Sequence, residues 1–320
     1  MPENRADDRA PLPDFIIGGA MKSATSSLHH LLAQHERVFI PDGELHFFCM
    51  DDFIQHPDFL SVGARDRAFD YERDFDENLA WYKDFFRPAQ PDQRVGEDST
   101  LYLAAPEAAP RIADLLPDVK LIFMLRNPVE RTYSHYWHRV YTGRAVFPFE
   151  LELERGSSLL HLRSFYKPQL ERFFDRFPRQ QIKVVLFERF VEHTQKVINE
   201  VCSFLDLPAT IDVENTDPHS NKSPVPRLFR TQLLFNYLSA GWENRYDKHL
   251  PGEEQSLSSW FWEGVVYYLR RLNLRTGPRP PMTDAVRTRL AQYYGRKNRG
   301  LSDLIGTDVS RYWPCLDGMT

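Results

Sequence analysis

The chain is poor in cysteine and contains no long apolar run. Its cysteines, Cys49, Cys202 and Cys315, are far apart, odd in number and without the spacing of metal ligands, which argues against a disulfide framework and favours a reducing compartment. No stretch approaches the roughly 18 apolar residues of a membrane span, and the polar start MPENRADDRAPLP lacks the apolar core of a signal peptide. We therefore expect a cytoplasmic protein without a transmembrane segment, in which residues 1–12 are disordered.

An excess of positive charge is also missing. The formal net charge is -5, whereas non-specific nucleic-acid binders are normally strongly basic, so we expect no nucleic-acid partner and only a local anion site.

With 320 residues, of which 42% are hydrophobic, the chain can bury a large core. We expect one domain over residues 13–320 with a helical insertion at about 230–275. The aromatic stretch at 254–273 fits a core or subunit-interface helix, with a substrate lid or membrane-surface element as the alternative.

Strand and helix patterns alternate along the chain. Continuous apolar runs at 119–126 and 181–187 predict strands that are covered on both faces, and QRVGEDSTLYL predicts a shorter one. Helices are predicted at PEAAPRIADLLP and at PVERTYSHYWHRVYTG, which begins with Pro128 and ends near Gly143. This alternation predicts an α/β fold with a central parallel sheet flanked by helices, and ligands at the carboxyl ends of its strands.

The segment IIGGAMKSATSSL, residues 16–28, passes from apolar residues through two glycines to a lysine and several hydroxyls. A strand, a tight turn and a helix in this order would present backbone amides, Lys22 and hydroxyl donors to an anion, with Thr25 or a neighbouring serine as the helix N-cap. An ATP or GTP loop would need glycine in place of Ile16 and Met21, so only its final Lys-Ser pair is present. Taken alone, the segment fits an ordinary capped helix equally well.

A second segment, LRNPVERTYSHY, places Arg126 at the end of a predicted strand and Ser134 in the helix that follows. The guanidinium fork suits a phosphate, and a serine that reaches back across the turn could bond to the same group. An ordinary strand-to-helix turn, with a serine that the helix merely tolerates, is the alternative.

Together, IIGGAMKSATSSL and LIFMLRNPVERTYSHYWH resemble the cofactor motifs of the sulfotransferases that use 3'-phosphoadenosine 5'-phosphosulfate (PAPS). The similarity extends to PDGELHFFCMDDF, to GEDSTLYL and to the C-terminal segment LAQYYGRKNRGLSDLIGTDVSRYW. It is closest to the heparan sulfate-type and related bacterial branch of the family. The resemblance implies a P-loop-like, three-layer fold, PAPS as the donor and adenosine 3',5'-bisphosphate (PAP) as the product. The cofactor residues that it implies are Lys22, Ala24, Thr25, Ser26, Ser27, Arg126 and Ser134.

Sulfuryl transfer to a hydroxyl or amine needs a base for the acceptor proton and a cation at the leaving oxygen. Glu44 matches the carboxylate of the branch's Lys-Glu-x-His-Phe-Phe motif and is the predicted base, Lys22 is the predicted cation, and His46 is a further catalytic candidate. Desolvation in the apolar setting ELHFF should raise the pKa of Glu44 unless Lys22 counteracts it. The alternatives are a structural carboxylate and a partly buried, satisfied histidine. No metal is expected, since a lysine and backbone amides suffice for a sulfuryl group.

Some positions depart from the branch. Gly43 replaces its lysine, Cys49 stands where an aspartate often follows, and Thr100 replaces a common proline. A catalytically inactive nucleotide-binding homologue therefore stays an alternative, as does a nucleotide-dependent kinase.

The loop DPHSNKSPVPRLF resembles one that closes over the adenosine end of the cofactor. The resemblance adds Lys222 and Arg227 to the predicted cofactor residues, and a solvated basic loop is the alternative. The expected acceptor is a saccharide, lipid or small metabolite, and a homodimer is left open.

Overall fold

The computed structural model describes residues 11–50, 75–213, 224–239, 265 and 268–314. Its central sheet has the strand order β2-β3-β1-β4-β5, and every pair of neighbours is parallel. The strands are β1 (Phe15–Gly19), β2 (Val38–Phe39), β3 (Arg94–Asp98), β4 (Lys120–Leu125) and β5 (Ile182–Leu186). The predicted parallel sheet is confirmed, and the predicted strands lie in it. A separate antiparallel ribbon pairs β6 (Val225–Pro226) with β7 (Leu274–Arg275).

Helices connect and cover the strands. In chain order the described α-helices are α1 (Thr25–Leu32), α2 (Phe75–Asp84), α3 (Ala108–Leu115), α4 (Pro128–Tyr141), α5 (Phe149–Arg155), α6 (Leu159–Leu162), α7 (Tyr166–Phe174), α8 (Phe187–Glu192), α9 (Thr194–Phe204), α10 (Phe229–Ser239), α11 (Asp284–Lys297) and α12 (Leu301–Ile305). Short 3-10 turns lie at Phe47–Cys49 and Arg179–Gln181.

The central strands supply two cores, one on each face of the sheet. Leu121, Phe123 and Leu125 of β4 pack into a cluster with α3 and α7. Ile122 and Met124, which alternate with them, pack on the opposite face with α1 and α9. Because successive side chains of a strand point to opposite faces, a strand between two helical layers must be apolar throughout, which explains the continuous apolar runs.

The two helices that follow central strands begin differently. Helix α4 begins as predicted, with Pro128 in its first turn and the Asn127 side chain accepting from the backbone N–H of Val129 at 3.0 Å. Helix α1 follows Ala24, whose backbone is left-handed (φ 68°), and it has no side-chain cap. The prediction that Thr25 or a neighbouring serine caps α1 is therefore wrong, since Thr25 is already its first residue.

Some expectations stay untested by the fold. Residues 1–10, most of the aromatic stretch at 254–273, and Lys222 lie outside the described residues. The single domain with a helical insertion, and the cytoplasmic location, therefore stay predictions. Within the described ranges, no helix combines the length and the apolar character needed to cross a bilayer.

Candidate active site

A cavity of about 700 Å³ opens where β1, β4 and β5 end. Its wall is formed by the loop after β1, the first turn of α1, the residue after β4, and the start of α8. The predicted cofactor residues that line it are Lys22, Ala24, Thr25, Ser26, Ser27, Arg126 and Ser134, and Glu44 lines it as well. Segments more than a hundred residues apart in sequence thus meet at the edge of the sheet where parallel folds place their ligands.

The loop between β1 and α1 has an unusual backbone. Lys22 and Ala24 both adopt left-handed conformations, with φ of 69° and 68°, which non-glycine residues seldom do. At Gly19 an added Cβ would lie 2.8 Å from the carbonyl oxygen of Thr100, so this position needs glycine. The end of β1 therefore packs directly against the segment that carries Thr100, on one side of the cavity.

The loop and the first turn of α1 have the properties of an anion site. Helix α1 has no side-chain hydrogen bond at its N-cap and no acidic residue in its first turn, so neither offsets the partial positive charge of its N-terminus. The hydroxyl of Ser23 and the Nε of Arg126 are both buried without a hydrogen-bond partner in the described part of the chain. Buried donors of this kind normally have partners, so Arg126, which lines the cavity, fits a bound anionic group such as a phosphate.

Three cations surround this anion site. The Arg126 guanidinium lies over the Phe187 ring, 4.5 Å from its centroid, and its Nη1 donates to the Lys22 carbonyl at 3.4 Å. Arg279, from the loop between β7 and α11, lines the same cavity. Burial, together with the charges of Arg279 and Arg126, lowers the pKa of Lys22 to about 8, although Glu44 opposes the shift. Among the described residues that line the cavity, these three cations outnumber the single carboxylate, Glu44, so the cavity has a net positive charge.

Glu44 is held by contacts that converge on one carboxylate oxygen. Its Oε2 accepts from the Thr100 hydroxyl at 2.7 Å and from the Thr100 backbone N–H at 3.2 Å, and lies 3.1 Å from Nε2 of His46. Burial alone would raise the pKa of Glu44, as predicted, but His46 and Thr100 outweigh it and lower the pKa to about 2. The expectation of a raised pKa is therefore wrong, and Glu44 is a carboxylate at neutral pH.

Two further titratable groups lie near Glu44. His138 on α4 lines the cavity, and burial, with the charges of Lys22 and Arg144, lowers its pKa to about 3, so its imidazole is neutral at neutral pH. Asp98 at the end of β3 lies 3.4 Å from Nδ1 of His29. Burial, reinforced by the charge of Glu44, raises the pKa of Asp98 to about 6 even though His29 opposes the shift.

Comparison with known proteins identifies the family. A model described as the sulfotransferase family matches residues 13–212, well over half of the chain. The chain belongs to this family. The match confirms the predicted family, whose enzymes take a sulfuryl group from PAPS, and the central parallel sheet confirms the predicted fold class.

Individual sulfotransferases show where the similarity lies. A crystallised sulfotransferase from Alicyclobacillus acidocaldarius is 25% identical, with a TM-score of 0.60 over 94% of this chain and 99% of that one. Human heparan sulfate glucosamine 3-O-sulfotransferase 3B1 is 31% identical over 65% of this chain and 48% of its own length. The human bifunctional heparan sulfate N-deacetylase/N-sulfotransferase 3 is 25% identical over 92% of this chain and 30% of its own length. The chain thus spans less than half the length of either human relative.

The cavity brings together most, but not all, of the residues that the sequence predicted for the site. His46 lies beside Glu44, as the motif suggested, whereas Arg227 is exposed and is not among the described residues that line the cavity. Lys222 is outside the described residues. Sequence reasoning missed Arg279 and His138. An arginine within the glycine- and proline-rich stretch RTGPRPP was the available signal for Arg279, while His138 lies one helical turn after Ser134.

Proposed function

We propose that this chain is a sulfotransferase that moves a sulfuryl group from PAPS to a hydroxyl or amine of a glycan, lipid or small-metabolite acceptor. One observation carries the proposal: Lys22, Arg126 and Arg279 line the same cavity as the carboxylate of Glu44. The names of the human relatives, which act on heparan sulfate glucosamine or as N-sulfotransferases, favour a saccharide hydroxyl or amine within that range.

The donor would bind along the anion site. The α1 amides, Thr25 and Ser26 would hold the 5'-phosphosulfate, since a helix N-terminus and hydroxyl donors suit such a group. Arg126 and Ser134 would hold the 3'-phosphate, and Arg279 would add positive charge to the same cavity. The absence of capping and acidic side chains in the described first turn of α1 supports this assignment.

Bound PAPS supplies an activated sulfuryl group whose transfer leaves PAP. Glu44 would accept the acceptor proton through Oε1, the oxygen outside its contacts with His46 and Thr100. Those contacts fix the carboxylate in one orientation, which lowers the cost of aligning it with an incoming group. Lys22 would stabilise the charge that develops on the leaving oxygen, and His138, as a neutral imidazole, would donate or accept a hydrogen bond without adding charge.

The alternatives have less support. A kinase reading lacks the glycines of the nucleotide loop at Ile16 and Met21, and no cluster of metal-binding side chains is present among the described residues. An inactive homologue was suggested by Gly43 and Cys49. A side chain at position 43 would face open space, and Cys49 packs in the core. Neither residue prevents the contact between Glu44 and Thr100.

PAP should bind the chain tightly in a calorimetric titration, and ATP with Mg²⁺ should bind far more weakly. Arg126→Ala is expected to weaken PAP binding about 10- to 100-fold, because a charged group's hydrogen bonds contribute about 1.5–3 kcal/mol. Arg176→Ala is the matched control, since Arg176 is exposed and does not line the cavity. Preferred binding of ATP with Mg²⁺ would instead support the kinase alternative.

The affinity for PAP should also fall as the pH rises through about 8, where Lys22 loses its charge. The sign follows from the lowered pKa: the ammonium is present below that pH and is lost above it, while the phosphates of the ligand stay anionic. Titrations in buffers of different ionisation enthalpy should show proton uptake on binding at pH 8 and above. Lys22→Arg should abolish that uptake, because an arginine stays charged. An affinity that does not depend on pH would contradict the shifted pKa.

A further inference from the structure

A buried acidic residue lies beneath the proposed catalytic segment without lining the cavity. Glu97, near the end of β3, has no exposed surface and accepts from three hydroxyls. Tyr82 donates to its Oε2 at 2.5 Å, and Tyr102 and Ser99 donate to its Oε1 at 2.5 and 2.6 Å. These three donations fix the orientation of each hydroxyl, because each has only one proton to donate.

The oriented hydroxyls reach the backbone of the segment that carries Glu44. The oxygen of Ser99 accepts from the backbone N–H of His46 at 2.9 Å, and that of Tyr102 accepts from the N–H of Phe48 at 3.4 Å. His46 needs such a contact, because its backbone is left-handed, with φ of 55°. A non-glycine residue keeps this conformation only when its surroundings hold it there.

The His46 backbone in turn determines where its ring lies. Nε2 of His46 is 3.1 Å from Oε2 of Glu44, so a rotation of the His46 backbone would move the ring away from the carboxylate. The neighbouring residue Thr100 holds the same oxygen, so Ser99 and Thr100 act on the two sides of the Glu44–His46 pair. The contacts thus run in a continuous series from Glu97 through Ser99 to His46 and Glu44.

We propose that Ser99, oriented by Glu97, is a positioning residue that sets the geometry of the Glu44–His46 pair. The proposal rests on the proposed function, since it assigns Ser99 to the base of that reaction. Ser99 itself touches neither donor nor acceptor, because it is fully buried and does not line the cavity. Its effect should therefore appear in turnover and not in donor affinity.

Two buried-hydroxyl deletions test this. Ser99→Ala removes the link to His46 and should lower kcat about 10- to 100-fold, with the PAPS KM and PAP affinity unchanged. Tyr82→Phe removes a hydrogen bond to the other oxygen of Glu97 and keeps the ring that stacks on Phe47, so it should leave kcat nearly unchanged even if stability falls. Equal losses of kcat in the two variants would show a general structural role and overturn the proposal.

A double-mutant cycle adds a measurement that a structural role would not affect. If Ser99 acts through the base, Ser99→Ala should cause no further loss of kcat in a Glu44→Gln background. A full additional loss there would overturn the proposal.

Hydrogen exchange of the peptide 44–50 separates this proposal from the proposed function. Exchange in this peptide should accelerate in Ser99→Ala and not in Tyr82→Phe, whether or not an acceptor has been found. If the wild-type chain transfers no sulfuryl group to any acceptor, the proposed function fails. The exchange rates then remain as the test of whether Ser99 positions the Glu44–His46 pair. Unchanged exchange in Ser99→Ala would overturn the positioning role even in an active enzyme.

Discussion

Glu44→Gln should lower turnover about 10²- to 10⁴-fold, which is the usual contribution of a positioned general base. Glutamine is nearly isosteric and its carbonyl oxygen can still accept from Thr100, so the segment should keep its fold. An amide cannot take up the acceptor proton, however, and the loss should therefore fall on kcat. Steady-state sulfuryl transfer from PAPS, measured beside calorimetric titration with PAP, separates this effect from binding.

The affinity for PAP should be nearly intact in Glu44→Gln, because the cations and the α1 amides are untouched. It should rise slightly if it changes at all, since the substitution removes a negative charge from a cavity that binds an anion. Near-normal turnover in this variant would remove Glu44 from the role of base. His138 would then be the next residue to substitute, since it lines the same cavity.

The pKa of about 2 has a consequence for the pH profile. Glu44 is ionised throughout the neutral range, so an acid limb of kcat near pH 6 would not report Glu44 in the free enzyme. Asp98, whose pKa burial raises to about 6, is a nearby carboxyl that titrates in that range. The Glu44 side chain is 37% exposed, so an acceptor that displaces water from the carboxylate would desolvate it and strengthen it as a base.

The fold could be predicted from sequence because its determinants are local. A strand between two helical layers must be apolar at consecutive positions, as β4 is from Leu121 to Leu125 and β5 is from Val184 to Leu186. Pro128 after Asn127 likewise defines the start of α4 through contacts within four residues. The cap of α1 was predicted wrongly because the left-handed backbone at Ala24 depends on the loop as a whole and not on the residue type at that position.

The site was less predictable because its energetics depend on distant partners. The apolar neighbours of Glu44 suggested a raised pKa, yet Phe47 and Phe48 pack into the core. The group that decides the outcome together with His46 is Thr100, more than fifty residues away in sequence. Arg279 enters the cavity from a loop near the end of the chain, and no local pattern relates it to Arg126.

Lys22→Ala is expected to impair both binding and chemistry, in contrast to Glu44→Gln. Lys22 faces the anion site and is proposed to stabilise the leaving oxygen, so its loss should weaken PAP binding about tenfold or more and lower kcat about 10²- to 10³-fold. Calorimetry with PAP and single-turnover transfer from PAPS measure the two effects separately.

The matched control is Lys22→Arg, which keeps the charge but replaces a compact ammonium with a planar guanidinium. It should restore most of the affinity for PAP and little of kcat, because affinity needs only positive charge near the phosphates whereas the developing charge needs a donor at one point. Lys22 already has a strained, left-handed backbone, so its position is determined by the loop and not by its side chain. If Lys22→Ala lowered affinity and left kcat unchanged, Lys22 would be a binding residue alone, and the stabilisation of the leaving oxygen would have to come from the α1 amides and Arg279.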